Sequence, residues 1–258
     1  MKKILITLAM LLLTLTACGN SSSEDQWSRI SKSGVLKVGT EGTYMPMTYH
    51  DEKGELVGFE VEVARAIAEE LGLKVEFTES SWDSLLAALD SNRIDTVINE
   101  VTPTSERREK YDFSNEYTFV HGVIITSKDN DTIKEVTDLK DKKAAQTLSS
   151  SWSLLAKDLG AEIVSVSAFQ DSIELITSKR ADFSVNSELA YNSYIKEKPD
   201  AGIKKAITLE DVVTTAIPVK KGEERFKNKL NEAIASLQEK GTLKEISMKY
   251  FGFDITSK

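Results

Sequence analysis

The chain has 258 residues, 40% hydrophobic and 29% charged, with only 4 Pro and 13 Gly, which supports a buried core and excludes collagenous or low-complexity classes. Its length suits one large domain or two lobes of roughly 100 residues each. A net charge of −8 excludes nucleic acid or an anionic membrane surface as the main partner, because both demand a basic face.

At the start of the chain, Lys2 and Lys3 precede an apolar run from Ile4 to Leu15. It is too short to cross a bilayer as a helix and has the length of a secretory signal core. The run closes on Leu15-Thr16-Ala17-Cys18, which resembles the lipobox of bacterial lipoproteins, in which the Cys is lipidated and becomes the mature N-terminus. Cys18 is the only cysteine, and a polar tract from Gly19 to Asp25 follows it. A plain signal peptide with an incidental Cys is the alternative. Residues 1–17 are therefore expected to be a signal peptide, and 18–33 a lipidated Cys18 with a flexible tether. Several acyl chains on one residue would hold the protein outside the cytoplasmic membrane, since two suffice where one binds marginally. A single Cys permits no intramolecular disulfide, so stability must come from the core.

Beyond the tether, Val35 to Thr40 is a short apolar run closed by Gly39-Thr40 and predicts a strand. Glu41 to Met47 follows as a loop carrying an acid, an aromatic and two Met, and Asp51 to Gly54 supplies a turn. Gly58-Phe59-Glu60 leads into a helix with Val63, Ile67 and Leu71 on one face, stopped by Gly72. Leu73 to Thr78 predicts a second strand, Ser81-Trp82-Asp83 opens a helix with Leu85, Leu86 and Leu89 inward, and Ile94 to Ile98 predicts a third strand. Alternating strands and helices with short connections imply parallel pairing with helices on the sheet faces. The pattern changes at Val120. His121 to Thr126 predicts a strand, and a second series follows: strands at 143–146, 161–166 and 181–186, with helices at 153–159, 169–180 and 188–196. An apolar run spans Val212 to Val219, and two helices, 224–239 and 243–250, close the chain.

In such sheets ligands bind beyond the carboxyl ends of the strands, where helices begin. Three first-series strand ends carry polar groups: Glu41 and Tyr44, then Ser81-Trp82, then Asn99-Glu100-Val101-Thr102 leading to Arg107. Exposed N–H groups at a helix start favour an anion, and Arg offers a rigid fork for a carboxylate. The second series offers another rim, Ser149-Ser150-Ser151-Trp152 and Asn186-Ser187-Glu188. Each residue has a plainer reading: a solvated charge for Arg107, Glu41 or Glu100, and surface packing for Trp82, Trp152 or Tyr44. His50 and His121 are the only histidines, far apart and without a Cys to join them, so neither a metal nor another cofactor is expected. There is no Gly-x-Ser-x-Gly elbow, no Cys–His pair and no phosphate-binding Gly-rich loop, which leaves covalent catalysis without support.

Three motifs in order, Val38-Gly39-Thr40-Glu41-Gly42-Thr43-Tyr44, Leu56-Val57-Gly58-Phe59-Glu60-Val61-Glu62, and Thr104-Ser105-Glu106-Arg107 with Tyr111-Asp112-Phe113-Ser114, make the chain resemble the amino-acid-binding proteins of ABC importers. The resemblance covers about Gly34 to Phe253. It implies an α/β, two-lobed periplasmic-binding-protein-like fold with two hinge strands and a ligand cleft between the lobes. Lobe 1 would comprise 34–120 plus 214–258, lobe 2 121–213, with crossovers near Val120 and Thr214. It implies that Arg107 clamps a ligand α-carboxylate, helped by Thr102 and by Ser150 or Ser151, and that Tyr44 and Trp82 wall the cleft. Glu41 matches a position that contacts the ligand's ammonium or side chain. Many relatives carry Gly or Ser where Glu100 stands, and Asp where Ser187 stands. Because a buried ammonium left unpaired is costly, Glu100, Glu41 or Glu188 is expected to supply its acceptor. Ala144 to Trp152 and Asn99-Glu100-Val101 look most like the cystine- or cysteine-binding branch. The resemblance thus implies a free amino acid and membrane permease subunits as partners, with no enzyme activity. The alternatives are a binder of Glu, Gln or a basic amino acid, an enzyme similar to cyclohexadienyl dehydratase, and a tethered sensory receptor.

Overall fold

The computed structural model describes residues 24–257, so the signal segment 1–17 and Cys18 lie outside the described residues. The chain first forms helix α1 (Gln26–Ser33), capped by the Asp25 carboxylate, which accepts the Ser28 N–H. Residues 26–33, expected to belong to the flexible tether, are thus helical. Ile30 is buried, Trp27 stacks on Phe226 with ring centroids 6.4 Å apart, and the Gln26 side chain donates to the Asp95 carbonyl. Sequence reading missed this helix because its few apolar residues show their partner only across the fold.

Strand β1 (Val35–Thr40) is central in a parallel three-stranded sheet, between β5 (Lys74–Glu79) and β6 (Thr96–Val97). The third strand, expected over Ile94 to Ile98, keeps only two paired residues. Before β5, the stretch expected as loop and turn holds a small antiparallel meander, β2 (Thr43–Tyr44), β3 (Thr48–His50) and β4 (Leu56–Val57). Helix α2 (Phe59–Glu70) buries Phe59, Val63, Ala64 and Ile67 on one face, as the 3.6-residue period requires. It starts after Gly58, at φ 131°, where a Cβ would lie 2.2 Å from the Met47 carbonyl oxygen. Only glycine allows the chain to turn so tightly onto the meander. Helix α3 (Trp82–Asp90) buries Leu85 and Leu89, and the short α4 (Ser105–Lys110) is capped by Thr104. Strand β7 (Tyr111–Phe113) then leads to β8 (Thr118–Ser127).

The second sheet has the order β10-β9-β11-β8-β12, with β9 (Lys143–Gln146), β10 (Glu162–Ser165), β11 (Phe183–Ser187) and β12 (Ile203–Thr215). Helices α5 (Ser151–Asp158), α6 (Phe169–Thr177) and α7 (Glu188–Glu197) alternate with these strands. Pairing is parallel among β9, β10 and β11, and antiparallel where β8 meets β11 and β12. The long β12 was not legible before Val212. It is an edge strand whose exposed positions carry Lys205 and Glu210, so its apolar alternation is faint. The apolar run expected from Val212 to Val219 divides between the end of β12 and β13 (Pro218–Lys220), which pairs with β7.

Helices α8 (Glu224–Glu239) and α9 (Thr242–Phe251) return to the first sheet, where Phe226, Leu230, Ile234 and Leu243 join Leu36, Val38 and Phe59 in one core. The second sheet has cores of its own, on one face around Val123, Ile125 and Ile173 and on the other around Ile124, Phe183 and Val185. β8 and β12 run side by side, with Val120 opposite Val213 and Thr118 opposite Thr215. Among the described residues no helix is long and apolar enough to cross a membrane.

Candidate functional site

The ends of β1, β6, β9 and β11 and the starts of α3, α5 and α6 converge on a cavity of about 60 Å³ between the lobes. Its lining includes the expected Glu41, Tyr44, Trp82, Asn99, Glu100, Ser150, Ser151 and Trp152. Asn99 joins two strand ends: its side-chain oxygen accepts from Thr40 Oγ1 and the Glu41 N–H, both at 2.9 Å, and its Nδ2 donates to Glu41 Oε2 at 2.8 Å. Glu100 follows with φ 53°, a left-handed conformation uncommon outside glycine. Its N–H donates to the wholly buried Glu60 carboxylate at 2.8 Å, and its Oε2 lies 2.8 Å from Tyr44 Oη.

Burial raises Glu41 to about 7, against the lowering effect of its Asn99 bond, and raises Glu60 to about 7. Burial and the neighbouring Glu60 charge raise Glu100 to about 8. Two buried polar atoms have no hydrogen-bond partner in this cleft: Glu100 Oε1 and Trp82 Nε1. Buried polar atoms in native folds are nearly always paired, so both atoms are open to a polar ligand.

Arg107, Val101, Thr102, Ser149 and Ser187 stand outside the cavity lining. Arg107, 6% exposed, stacks its guanidinium 5.2 Å from the Trp82 ring centre. It donates to the Thr102 carbonyl and, across the interlobe seam, to the Ser149 carbonyl, each at 2.8 Å. Burial lowers its pKa to about 10, which leaves it charged. The seam is closed further by the Ser149 N–H donating to Asp83 and by Ser151 Oγ reaching Thr102 Oγ1. Val101 packs in the core with Leu85 and Phe113, and its carbonyl accepts the Ala216 N–H. Ser187 is buried as the N-cap of α7, where its hydroxyl accepts the Ala190 N–H. Glu188 does not supply an acceptor to the cleft, because its carboxylate pairs with Lys205 of β12.

The cavity also takes in Gln146, Thr147, Phe169, Ser172 and Asn186. Gln146 and Asn186 end β9 and β11, so the rule of strand carboxyl ends already pointed at them. Phe169 and Ser172 follow the end of β10, where the same rule would have found the start of α6. Trp152 lies against β8: a Cβ on Gly122 would be 2.7 Å from the Trp152 ring and 2.9 Å from Leu209. Among the described residues no group of His, Cys, Asp and Glu could hold a metal ion. His50 bonds the Gly42 carbonyl and His121 the Leu209 carbonyl, in separate places.

Two α/β lobes with a polar cleft at their strand ends define a two-lobed binding-protein class. The chain belongs to the bacterial extracellular solute-binding proteins, family 3, whose profile matches residues 36–253. It is 42% identical over 256 residues to a probable amino-acid ABC transporter-binding protein of Haemophilus influenzae, covering 99% of this chain and 100% of that one. It is 40% identical over 268 residues to the L-cystine-binding protein TcyA of Bacillus subtilis, at 99% and 100% coverage. Among solved structures, an ancestral arginine-binding protein bound to arginine superposes with a TM-score of 0.79 at 37% identity, covering 85% of this chain and 99% of that one. The L-cystine solute receptor of Neisseria gonorrhoeae in its unliganded open conformation gives 0.60 at 41% identity, covering 90% and 99%. The better superposition on the ligand-bound neighbour, despite lower identity, agrees with the hydrogen bonds that close the seam.

Proposed function

We propose that the protein is the binding component of an ABC importer, closing its lobes on a free polar amino acid, L-cystine foremost, and delivering it to membrane permease subunits. The observation that carries this reading is the partnerless Glu100 Oε1, buried in a cleft that draws polar groups from both lobes. A carboxylate there suits an ammonium, and the Arg107 fork suits the α-carboxylate of the same zwitterion. That carboxylate is a stronger acceptor than the two carbonyls Arg107 now engages. Glu41 and Asn99 take the ligand's side-chain end, and Ser150 and Ser151 close on it from the second lobe. Cystine is favoured by the named activities of the Bacillus subtilis and Neisseria gonorrhoeae proteins.

In this reading 34–120 with 214–258 form lobe 1, 121–213 form lobe 2, and closure is a hinge motion about β8 and β12 whose energy is the ligand's higher affinity for the closed state. The Cys18 lipid is the only attachment to the membrane. Labelled palmitate that enters the wild-type chain and not a Cys18→Ala variant supports the anchor.

The deciding experiment is a thermal-shift and calorimetric panel of L-cystine, L-cysteine, arginine, histidine, glutamine and glutamate, because a ligand specific for the folded state raises its stability. Cystine is expected to give the largest shift. A larger shift with another amino acid reassigns the ligand, and no shift with any of them sinks the amino-acid reading. The protein binds without turnover, so product formed from prephenate or arogenate would contradict that part.

A further inference from the structure

A chain of hydroxyl and carboxyl groups runs from the cleft into the first lobe, and its hydrogen count is informative. Tyr44 Oη lies 2.8 Å from Glu100 Oε2 and 2.6 Å from Asn186 Oδ1. The Asn186 oxygen also accepts the Ser187 N–H at 2.7 Å, which marks it as the acceptor end of the amide. A phenol donates one proton. Both Tyr44 contacts are therefore full hydrogen bonds only when Glu100 carries a proton and donates it to Tyr44, which donates its own to Asn186. One layer deeper, Tyr117 Oη lies 2.9 and 2.8 Å from the two oxygens of Glu60, whose Oε1 already accepts the Glu100 N–H at 2.8 Å. Tyr117 donates its proton across both Glu60 oxygens, so Glu60 is satisfied as the carboxylate and the pair's proton sits on Glu100.

The groups that face this pair are Glu41, with Asp83 beyond it, and the phenols Tyr44 and Tyr117. None of the ion pairs among the described residues involves Glu41, Glu60 or Glu100. Glu60 lies close enough for its charge to act on Glu100, and two neighbouring carboxylates without a cation cannot both ionise cheaply, so at neutral pH such a pair retains a proton. Glu60 also has a mechanical part. Its bond to the Glu100 N–H holds residue 100 at φ 53°, the conformation that presents Oε1 to the cleft. Glu60 reaches that place because α2 begins immediately after the tight turn at Gly58.

We propose that Glu60 and Glu100 work as one proton-holding pair in which Glu60 positions Glu100, and that a ligand ammonium seated on Glu100 Oε1 expels a proton from the pair into solvent. The inference rests on the reading of the cleft as an amino-acid site. No covalent bond to the ligand changes: one carboxyl O–H bond breaks, its electrons stay on the oxygen, and buffer takes the proton. The ligand arrives and remains as its ammonium form. Tyr44 then turns its own proton to the ionised Glu100.

The test is calorimetry of the full chain with L-cystine between pH 6 and 7.5, in phosphate and in Tris, whose ionisation enthalpies differ widely. The difference in apparent enthalpy gives the protons exchanged. A release of about one proton per ligand is expected near pH 6.5, falling as pH rises through the pair's range. Glu100→Gln is expected to abolish the release and weaken binding at least about tenfold. Glu60→Gln removes the neighbouring charge while its amide oxygen still accepts the Glu100 N–H. It is expected to move the release profile down by about one pH unit, which a purely structural role would not do. Saturable binding with the same heat in both buffers overturns the proton pair and leaves the amino-acid reading standing. No heat with any amino acid overturns both. Should a variant fail to fold, the wild-type buffer comparison decides alone.

Discussion

Arg107, beside the proposed cleft, combines a buried charge, a stacked ring and bonds to both lobes. Lysine keeps the charge but loses the planar fork and the stacking on Trp82. Arg107→Lys is expected to weaken ligand binding by about ten- to a hundredfold, the worth of one or two charge-assisted hydrogen bonds, with binding measured by calorimetry. Unchanged affinity would place the carboxylate grip elsewhere. A second expectation concerns pH. Glu41 and Glu60 rise to about 7 and Glu100 to about 8, all above the ordinary 4.5. A raised carboxyl favours the native state fully below its unfolded value, and the benefit is lost as pH climbs through the folded value. The melting temperature without ligand is therefore expected to fall by several degrees between pH 5 and 8.5, at roughly 2–4 °C per kcal/mol for a chain of this size. Glu100→Gln flattens that slope. The hydrogen bonds that lower Asp112 and Asp254 act at more acidic pH and do not mask it.

At the level of elements, the cleft depends on how α5 lies against β8. Ser150 caps α5 by accepting the Ser153 N–H, which turns the hydroxyl-rich loop toward the first lobe. The next residues include Trp152, whose ring fits over the bare backbone of Gly122. Gly122→Ala would put a methyl 2.7 Å from that ring, with Leu209 also in the way at 2.9 Å. Overpacking of this kind costs about 1–3 kcal/mol. The urea midpoint is expected to drop accordingly, and tryptophan fluorescence to shift as Trp152 is pushed toward the cavity. A variant with wild-type stability and spectrum would mean that the ring has room to slide. Helix α1 belongs to the same scale: Ile30 and Trp27 fasten it to the first-lobe core.

For the whole molecule, the two lobes meet largely through polar contacts, Arg107 with Ser149, Asp83 with Ser149, Thr102 with Ser151, Tyr44 with Asn186, and Gln170 with the Thr43 carbonyl, while Leu189 packs into the first-lobe core and Tyr44 against the second. Such a seam is largely polar, and an interface of that kind favours relative domain motion. β8 and β12 are the two strands on which the lobes would swing. Superposition at a TM-score of 0.79 on an arginine-bound relative and 0.60 on an open one agrees with closure here. Small-angle scattering is expected to show a larger radius of gyration without ligand than with saturating L-cystine. An identical radius in both conditions would rule out hinge closure.

The amino-acid sequence alone determined the alternation of strands and helices, the parallel first sheet, and the strand ends where polar groups gather. These follow from local periodicity and from Gly, Ser and Asp punctuation, which each segment carries within itself. It named Glu41, Tyr44, Trp82, Asn99, Glu100 and the hydroxyl turn before α5, since those lie on the loops that parallel sheets expose at one edge. Tertiary structure alone decided the rest. Helix α1 and strand β12 take their stability from partners about 200 and 90 residues away, Phe226 and β8, so their own patterns are weak. Glu100 lines the cleft, whereas Glu188 stands outside it and pairs with Lys205 of β12. The proposed proton-holding pair rests on the fold bringing the Glu60 carboxylate, 40 residues away in sequence, to 2.8 Å from the Glu100 N–H. Burial and proximity set the chemistry of a carboxyl, and both are properties of the fold rather than of the residue.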